Sequence, residues 1–421
     1  MKRVKKKELI EGCFELVGEI LIEFIFLAIG AVVIILLSAI GFNIDIDDVD
    51  DELISVIGIV GLVVIAYLIA FAVIVIKKIK AKHQNGKLPE KATKYINKKG
   101  KNMYRIGIDL GGTNIAAAIV NEEFKIVQKK SVPTGAERET KYIMDDMAEL
   151  CRSVCSEAGI SFGEIDAIGI ASPGVANHTD GIIEYANNLP FRRFEICREL
   201  GERLGMDNIH VENDANAAAW GEAIAGAARG TRNSVMITLG TGVGGGVIID
   251  GKVFSGFNYA GTELGHVVIE KGGRPCSCGR RGCWEAYSSA TALIKMTAEK
   301  LAECEEQGRY TLMADITREK GKVSGRTAFK ALESGDEAAR EVIDTYIGYL
   351  ITGLVNMINI FQPEVLSIGG GISGEGQKLI DMMIDQIKRE QYGTDFVENT
   401  RVCIAELGND AGIIGAAFLG I

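Results

Sequence analysis

Three cysteines crowd into one short stretch, Cys276, Cys278 and Cys283, with His266 just upstream. Three thiolates and one imidazole are the donors that a closed, tetrahedral structural Zn²⁺ site uses. The spacing C-x-C-x4-C is unusual for a zinc finger, and Gly279 and Gly282 permit the turn between ligands. A cluster of unmetallated, buried thiols is the other reading of the same residues. Of nine cysteines, the rest are scattered (Cys13, Cys151, Cys155, Cys197, Cys304, Cys403). A disulfide framework is therefore not expected, and a metal site in a reducing compartment fits the pattern better.

A second chemistry lies in the glycines. From Arg105 the chain reads RIGIDLGGTNIAAAIV, a short apolar strand, a Gly-rich turn and another apolar run. From Val235 it reads VMITLGTGVGGGVIIDGKV, on the same plan. Glycine lets backbone N–H groups close on an anion, so each turn is suited to phosphate. The repetition predicts two related lobes, each opening with a sheet. No G-x-x-x-x-G-K-[ST] occurs, which excludes a P-loop enzyme. Residues 240–245 match G-x-G-x-x-G, but a dinucleotide fold needs a helix next, and Val247–Ile248–Ile249–Asp250–Gly251 reads as a strand and a turn.

Asp214 stands where strand-like Asn208–Ile209–His210–Val211 meets helix-like residues 215–220. A carboxylate at such a junction sits on the rim of a sheet, facing a cleft, where it could act as a base. Asn213 or Asp214 would serve equally well as the N-cap of the helix. From the residue types alone the two roles are balanced.

The elements that carry these residues occupy only part of the chain. Its 421 residues suffice for two or three domains, and 47% apolar content allows sizeable cores. The net charge of −10 argues against nucleic acid as a partner. Residues 24–42 and 53–76 carry no charge. As helices they would be about 28 and 36 Å long, against a bilayer core of about 30 Å. Buried core helices or a cleaved signal peptide are the other readings; Glu11, Glu15, Glu19 and Glu23 separate the basic start from the apolar run and weaken the second. Lys and Arg cluster before the first run and after the second, while the loop NIDIDDVDDE has neither. The positive-inside rule then predicts a membrane-anchored chain, with both termini in the cytoplasm and lipid as a partner of the hairpin. Residues 1–80 read as this hairpin, 81–102 as a polar, Lys-rich linker, 103–230 as one lobe and 231–421 as the other, whose last helix could return to the first.

Five motifs occur in order: DLGGTN from Asp109, ENDANA from Glu212, LGTGVGGG from Leu239, ELGH from Glu263 and CSCGRRGCWE from Cys276. Together they resemble the ROK family of sugar kinases and sugar-responsive repressors, over roughly residues 103–421. The resemblance implies an α/β, two-lobed, actin-like (ribonuclease-H-like) ATPase fold with a cleft between the lobes. It implies ATP and Mg²⁺ as cofactors beside the structural Zn²⁺, and Asp214 as the catalytic base. Asp109 would help hold Mg²⁺ through water, while Gly111, Gly112, Thr113 and Asn114 meet phosphate. Thr241, Gly242 and Gly244 would form the facing cradle, and Gly370 and Gly371 would approach adenosine. Asn188, Asn213, Glu263, His266 and Glu285 would contact sugar, with His266 also on the metal beside Cys276, Cys278 and Cys283.

The implied activity is ATP-dependent phosphorylation of a hexose at its 6-hydroxyl. The runs AGTELGH and WEAY are most similar to members that take glucose. N-acetylmannosamine, mannose, fructose and allose are the rival substrates, and a membrane-bound sugar sensor is the rival class. Family repressors carry an N-terminal helix-turn-helix and often lose the catalytic motifs; here Asp109 and Asp214 are both present. Family members are commonly dimers or tetramers, which leaves a homo-oligomer open.

Overall fold

The computed structural model describes residues 103–421. The two apolar runs, the acidic loop between them and the Lys-rich linker lie outside the described residues. Among the described residues no helix is long and apolar enough to cross a membrane.

The first lobe is built on strands β1 (Tyr104–Leu110), β2 (Asn114–Val120), β3 (Ile126–Pro133) and β4 (Ile165–Ser172), with helix α1 (Thr140–Ala158) between β3 and β4. A three-stranded sheet follows, β5 (Val175–Asn177), β6 (Ile182–Tyr185) and β7 (Arg192–Phe194). Helix α2 (Ile196–Leu204) then leads to β8 (Ile209–Asn213). The main sheet has the order β3-β2-β1-β4-β8, antiparallel from β3 to β1 and parallel from β1 to β8.

Helix α3 (Asp214–Ile224) leads into the second lobe. There β9 (Ser234–Leu239), β10 (Val243–Ile249) and β11 (Lys252–Val253) form antiparallel pairs. Helices α4 (Glu285–Ser288), α5 (Ala290–Glu306), α6 (Leu312–Lys320), α7 (Thr327–Glu333) and α8 (Glu337–Phe361) precede β12 (Val365–Gly369). Helices α9 (Gln377–Asp381) and α10 (Ile384–Glu390), then β13 (Arg401–Ile404) and α11 (Ala411–Ala417), complete the chain. The order β11-β10-β9-β12-β13 repeats that of the first sheet, with the same antiparallel half and the same parallel half. The repeated strand–turn–strand pattern of the sequence is thus a repeated sheet. Residues 377–390 form two short helices rather than one, interrupted at Met382 and Met383, with Met383 fully buried.

The lobes join through two helices. Helix α3 packs on β9 and β10, α11 packs on β1 and β4, and the two helices pack on each other. Their approach is close enough to exclude side chains: a Cβ on Gly415 would fall 1.8 Å from the carbonyl oxygen of Ala217. Trp220 locks the crossing, its Nε1 donating to the carbonyl of Phe418 at 2.9 Å. The C-terminal segment therefore packs on the first lobe's sheet although the second lobe precedes it in sequence, and shares a small core with α3 and both sheets.

Candidate active site

Parallel pairing of β1, β4 and β8 brings their carboxyl ends to one edge of the sheet, where open α/β sheets bind ligands. Register places Asp109 beside Ala171, and Ala171 beside Glu212. Asp109 thus leaves β1 at the level where β8 gives way to Asp214. Asn213 is the N-cap of α3, its Oδ1 accepting from the N–H groups of Ala215 (2.9 Å) and Asn216 (3.2 Å). Such a cap stabilises by about 1 kcal/mol. With Asn213 capping, Asp214 is left exposed, its Oδ1 accepting from the Ala215 N–H at 2.8 Å.

Solvent reaches Asp214 from one side, but protein on the others strips water from its carboxyl and pushes it up to about 6. The charges of Asp109 in the first lobe and Glu263 in the second push the same way, and the Ala215 N–H opposes them. Asp214 thus feels the charge of carboxylates from both lobes. Asp109 is itself raised by burial, with Lys129 opposing. Two neighbouring acids that are costly to charge together suit a divalent cation, and the exposed Asp214 suits a proton acceptor.

The first phosphate turn is held by its carbonyls. Thr134 donates through Oγ1 to Gly111 O (2.6 Å) and through its N–H to Thr113 O (2.9 Å). Thr113 and Asn114 are exposed. Asn188 lies against this turn, since a Cβ on Gly112 would be 3.1 Å from the Asn188 Cβ. In the second turn Gly240 O accepts from the Ala290 N–H (2.9 Å) and Thr241 O from Thr291 Oγ1 (2.8 Å), with Thr241 exposed. Gly244 lies inside β10, and a Cβ there would stand 2.6 Å from Thr238 Oγ1 and 3.6 Å from the Ala215 Cβ on α3. Gly370 and Gly371 follow β12; Gly370 has φ +82° and backs onto the main chain of Leu239, beside the second turn.

The loop expected from the motifs to meet sugar gathers four potential metal ligands. Nδ1 of His266 is 3.5 Å from Sγ of Cys276, and Sγ of Cys278 is 3.7 Å from Sγ of Cys283. All four ligand atoms lie within 4.8 Å of one another. Zn–S and Zn–N bonds of about 2.3 and 2.05 Å give tetrahedral edges of about 3.8 Å (S–S) and 3.6 Å (N–S). The donor set therefore has the size and composition of a tetrahedral metal site. With Nδ1 facing the thiols, Nε2 of His266 is the nitrogen left for another partner. Trp284, fully buried, fixes the loop to α8: its Nε1 donates to Tyr349 O at 3.1 Å, and only a glycine at 353 leaves room for the indole.

Glu285 connects this loop to the phosphate turn. Its Oε2 accepts from the Val243 N–H at 3.1 Å and its Oε1 from Ser277 Oγ at 3.1 Å. Asn213 is also partly engaged, its Nδ2 donating to Gly174 O at 3.0 Å, which leaves one amide hydrogen for a ligand. Sequence reasoning missed the supports behind these residues. Glu212 is 3% exposed, and its carboxylate takes hydrogen bonds from the Asn213 N–H, Asn216 Nδ2 and His178 Nδ1. The adjacent acid in ENDANA was the available signal.

Comparison with known proteins agrees with this geometry. The family model "ROK family" matches residues 105–421. The chain belongs to the ROK family. Among ROK relatives, a glucokinase of Halalkalibacterium halodurans is 36% identical over 318 residues, covering 75% of this chain and 94% of that protein. A glucokinase of Streptomyces coelicolor is 35% identical, covering 75% and 96%. The crystal structure of a ROK family glucokinase from Streptomyces griseus, in complex with glucose and AMPPNP, is 31% identical with a TM-score of 0.62, covering 75% of this chain and 98% of that one. The actin-like ROK sugar-kinase fold is thereby established for residues 105–421.

Proposed function

We propose that this protein is an ATP-dependent sugar kinase that phosphorylates D-glucose at the 6-hydroxyl. The observation that carries the reading is Asp214, exposed where β8 gives way to α3, level with the carboxyl end of β1, with its carboxyl pushed up to about 6. Near neutral pH it is ionised yet basic enough to accept the hydroxyl proton as the oxygen attacks. Mg²⁺ bound with ATP would neutralise charge on the transferring phosphoryl group. Asp109 would hold that ion, and amides of Gly112 and Thr113 and of the Thr241–Gly242 turn would cradle phosphate oxygens, the Gly111 N–H being used within its turn by Asn114 O at 3.0 Å. Glu263, Asn188, the free Asn213 hydrogen and Nε2 of His266 would orient the sugar, so that one hydroxyl meets Asp214.

The four-donor cluster supports a structural Zn²⁺ held by His266, Cys276, Cys278 and Cys283. It would shape the loop that presents His266 and Glu285 rather than take part in phosphoryl transfer. Steady-state turnover with MgATP and a panel of glucose, N-acetylmannosamine, mannose, fructose and allose tests the substrate. Glucose should show the highest kcat/KM, and a higher value for any other hexose would reassign it. No turnover of any sugar would favour a sensor.

The charge pattern around residues 24–42 and 53–76 supports a tether that holds the kinase at the cytoplasmic face of a membrane. The full-length protein should remain in the membrane fraction after a high-salt wash, because apolar burial is insensitive to ionic strength. Release by salt would rule out spanning segments.

A further inference from the structure

We propose that Tyr259, Thr179, His178 and Glu212 form a clasp that pins residues 254–263 of the second lobe onto the first, beside the segment that carries Asp214. The loop, residues 254–263, departs from β11 with little apolar anchorage: Phe254 and Phe257 are 44% and 97% exposed. Its backbone is strained as well, since Tyr259 and Thr262 both have φ +64°, a region that side-chain-bearing residues seldom occupy. Such conformations persist only where surrounding contacts hold them.

The contacts that hold this loop reach across to the other lobe. Tyr259 Oη donates to Thr179 Oγ1 at 2.7 Å, and its ring stands edge-on to His178, with centroids 4.9 Å apart and planes at 78°. Nδ1 of His178 lies 3.0 Å from Oε2 of the buried Glu212. Glu212 Oε1 in turn accepts from the Asn213 N–H at 2.9 Å and Asn216 Nδ2 at 3.1 Å. Thr262 Oγ1 lies 3.2 Å from Asn216 Oδ1, although its single proton has a shorter acceptor in Gly261 O at 2.6 Å. The loop is thus tied through Tyr259 to a network centred on one buried carboxylate, next to the chain segment that carries Asp214, with Thr262 lying beside Asn216 of the same network. Tyr259, Thr179 and His178 act through other residues and are positioning groups; none is placed in the catalytic machinery. By fixing the loop in advance, the clasp removes an ordering cost from sugar binding.

The consequence for turnover rests on the sugar-kinase reading, so the test has two arms. Tyr259→Phe removes one hydroxyl and Thr179→Val removes its acceptor. Each should raise the KM for glucose about fivefold, with kcat and the KM for ATP within about twofold of wild type, the pattern of lost sugar binding. The double variant should be no worse than either single one, because both delete the same bond. Hydrogen exchange without sugar should be faster at amides 256–263 in each variant and unchanged in α3 and the sheets. A glucose KM within twofold of wild type, additive effects in the double variant, a parallel loss of kcat and both KM values, or unaltered loop exchange would each overturn the clasp. If wild type turns over no sugar, the kinase reading fails separately and the exchange arm alone decides.

Discussion

Asp214→Asn is expected to lower kcat by about 10²- to 10⁴-fold, the range a general base contributes. Sugar and nucleotide binding should stay close to wild type. Asparagine keeps the shape and the bond to the Ala215 N–H while losing the ability to take a proton. The helix start is not at risk, because its cap is the side chain of Asn213. A companion result follows from the raised carboxyl. Protonated Asp214 cannot accept a proton, so wild-type kcat/KM should fall as pH drops through about 6 and level off above it. Burial disfavours the charged form, and the like charges of Asp109 and Glu263 add to it, which moves the limb upward from the ordinary carboxylate range. The limb should be missing from Asp214→Asn. A variant that retained more than about a tenth of wild-type kcat would show that another group removes the proton.

Cys283→Ser should lose stoichiometric zinc and raise the KM for glucose by about tenfold or more, the cost of losing a support beneath a binding loop. Cys283 is fully buried, adjoins Trp284 and faces Val268 across an isolated bridge, so its sulfur is embedded in the loop's base. Burial and the neighbouring thiols push its proton affinity up to about 12, a cost that a divalent cation removes by binding thiolates. The KM for ATP should change less, since both phosphate turns are held by their own hydrogen bonds. It should still change, because the Glu285 carboxylate that meets Ser277 in the metal loop also meets the Val243 N–H in the second turn. Elemental analysis of the purified wild type checks the metal directly, and a protein devoid of zinc would remove the basis of the prediction.

Short-range pattern was enough to read much of this protein. The strand–turn–strand repeat at Arg105 and Val235 announced two sheets, because alternating apolar runs and glycines constrain the backbone over a few residues at a time. The thiol cluster was legible for the same reason: three cysteines and their glycine turns lie within one loop. ATP chemistry and the roles of single residues came from the resemblance of five motifs, not from residue types.

Other features needed the assembled chain. Whether Asn213 or Asp214 capped α3 was undecided in sequence, since both side chains suit that position; backbone geometry gave the cap to Asn213. The proton affinity of Asp214 depends first on burial of its carboxyl and then on Asp109 and Glu263, none of which local sequence shows. Gly244 reads as a phosphate glycine, yet its missing side chain makes room near Thr238 and α3. The clasp from Tyr259 through His178 to Glu212 was invisible because hydrogen bonds between separate loops leave no periodic trace. Local spacing thus determined the turns and the donor cluster, the resemblance of five motifs supplied the expected chemistry, and long-range packing decided which acids are exposed and which are buried.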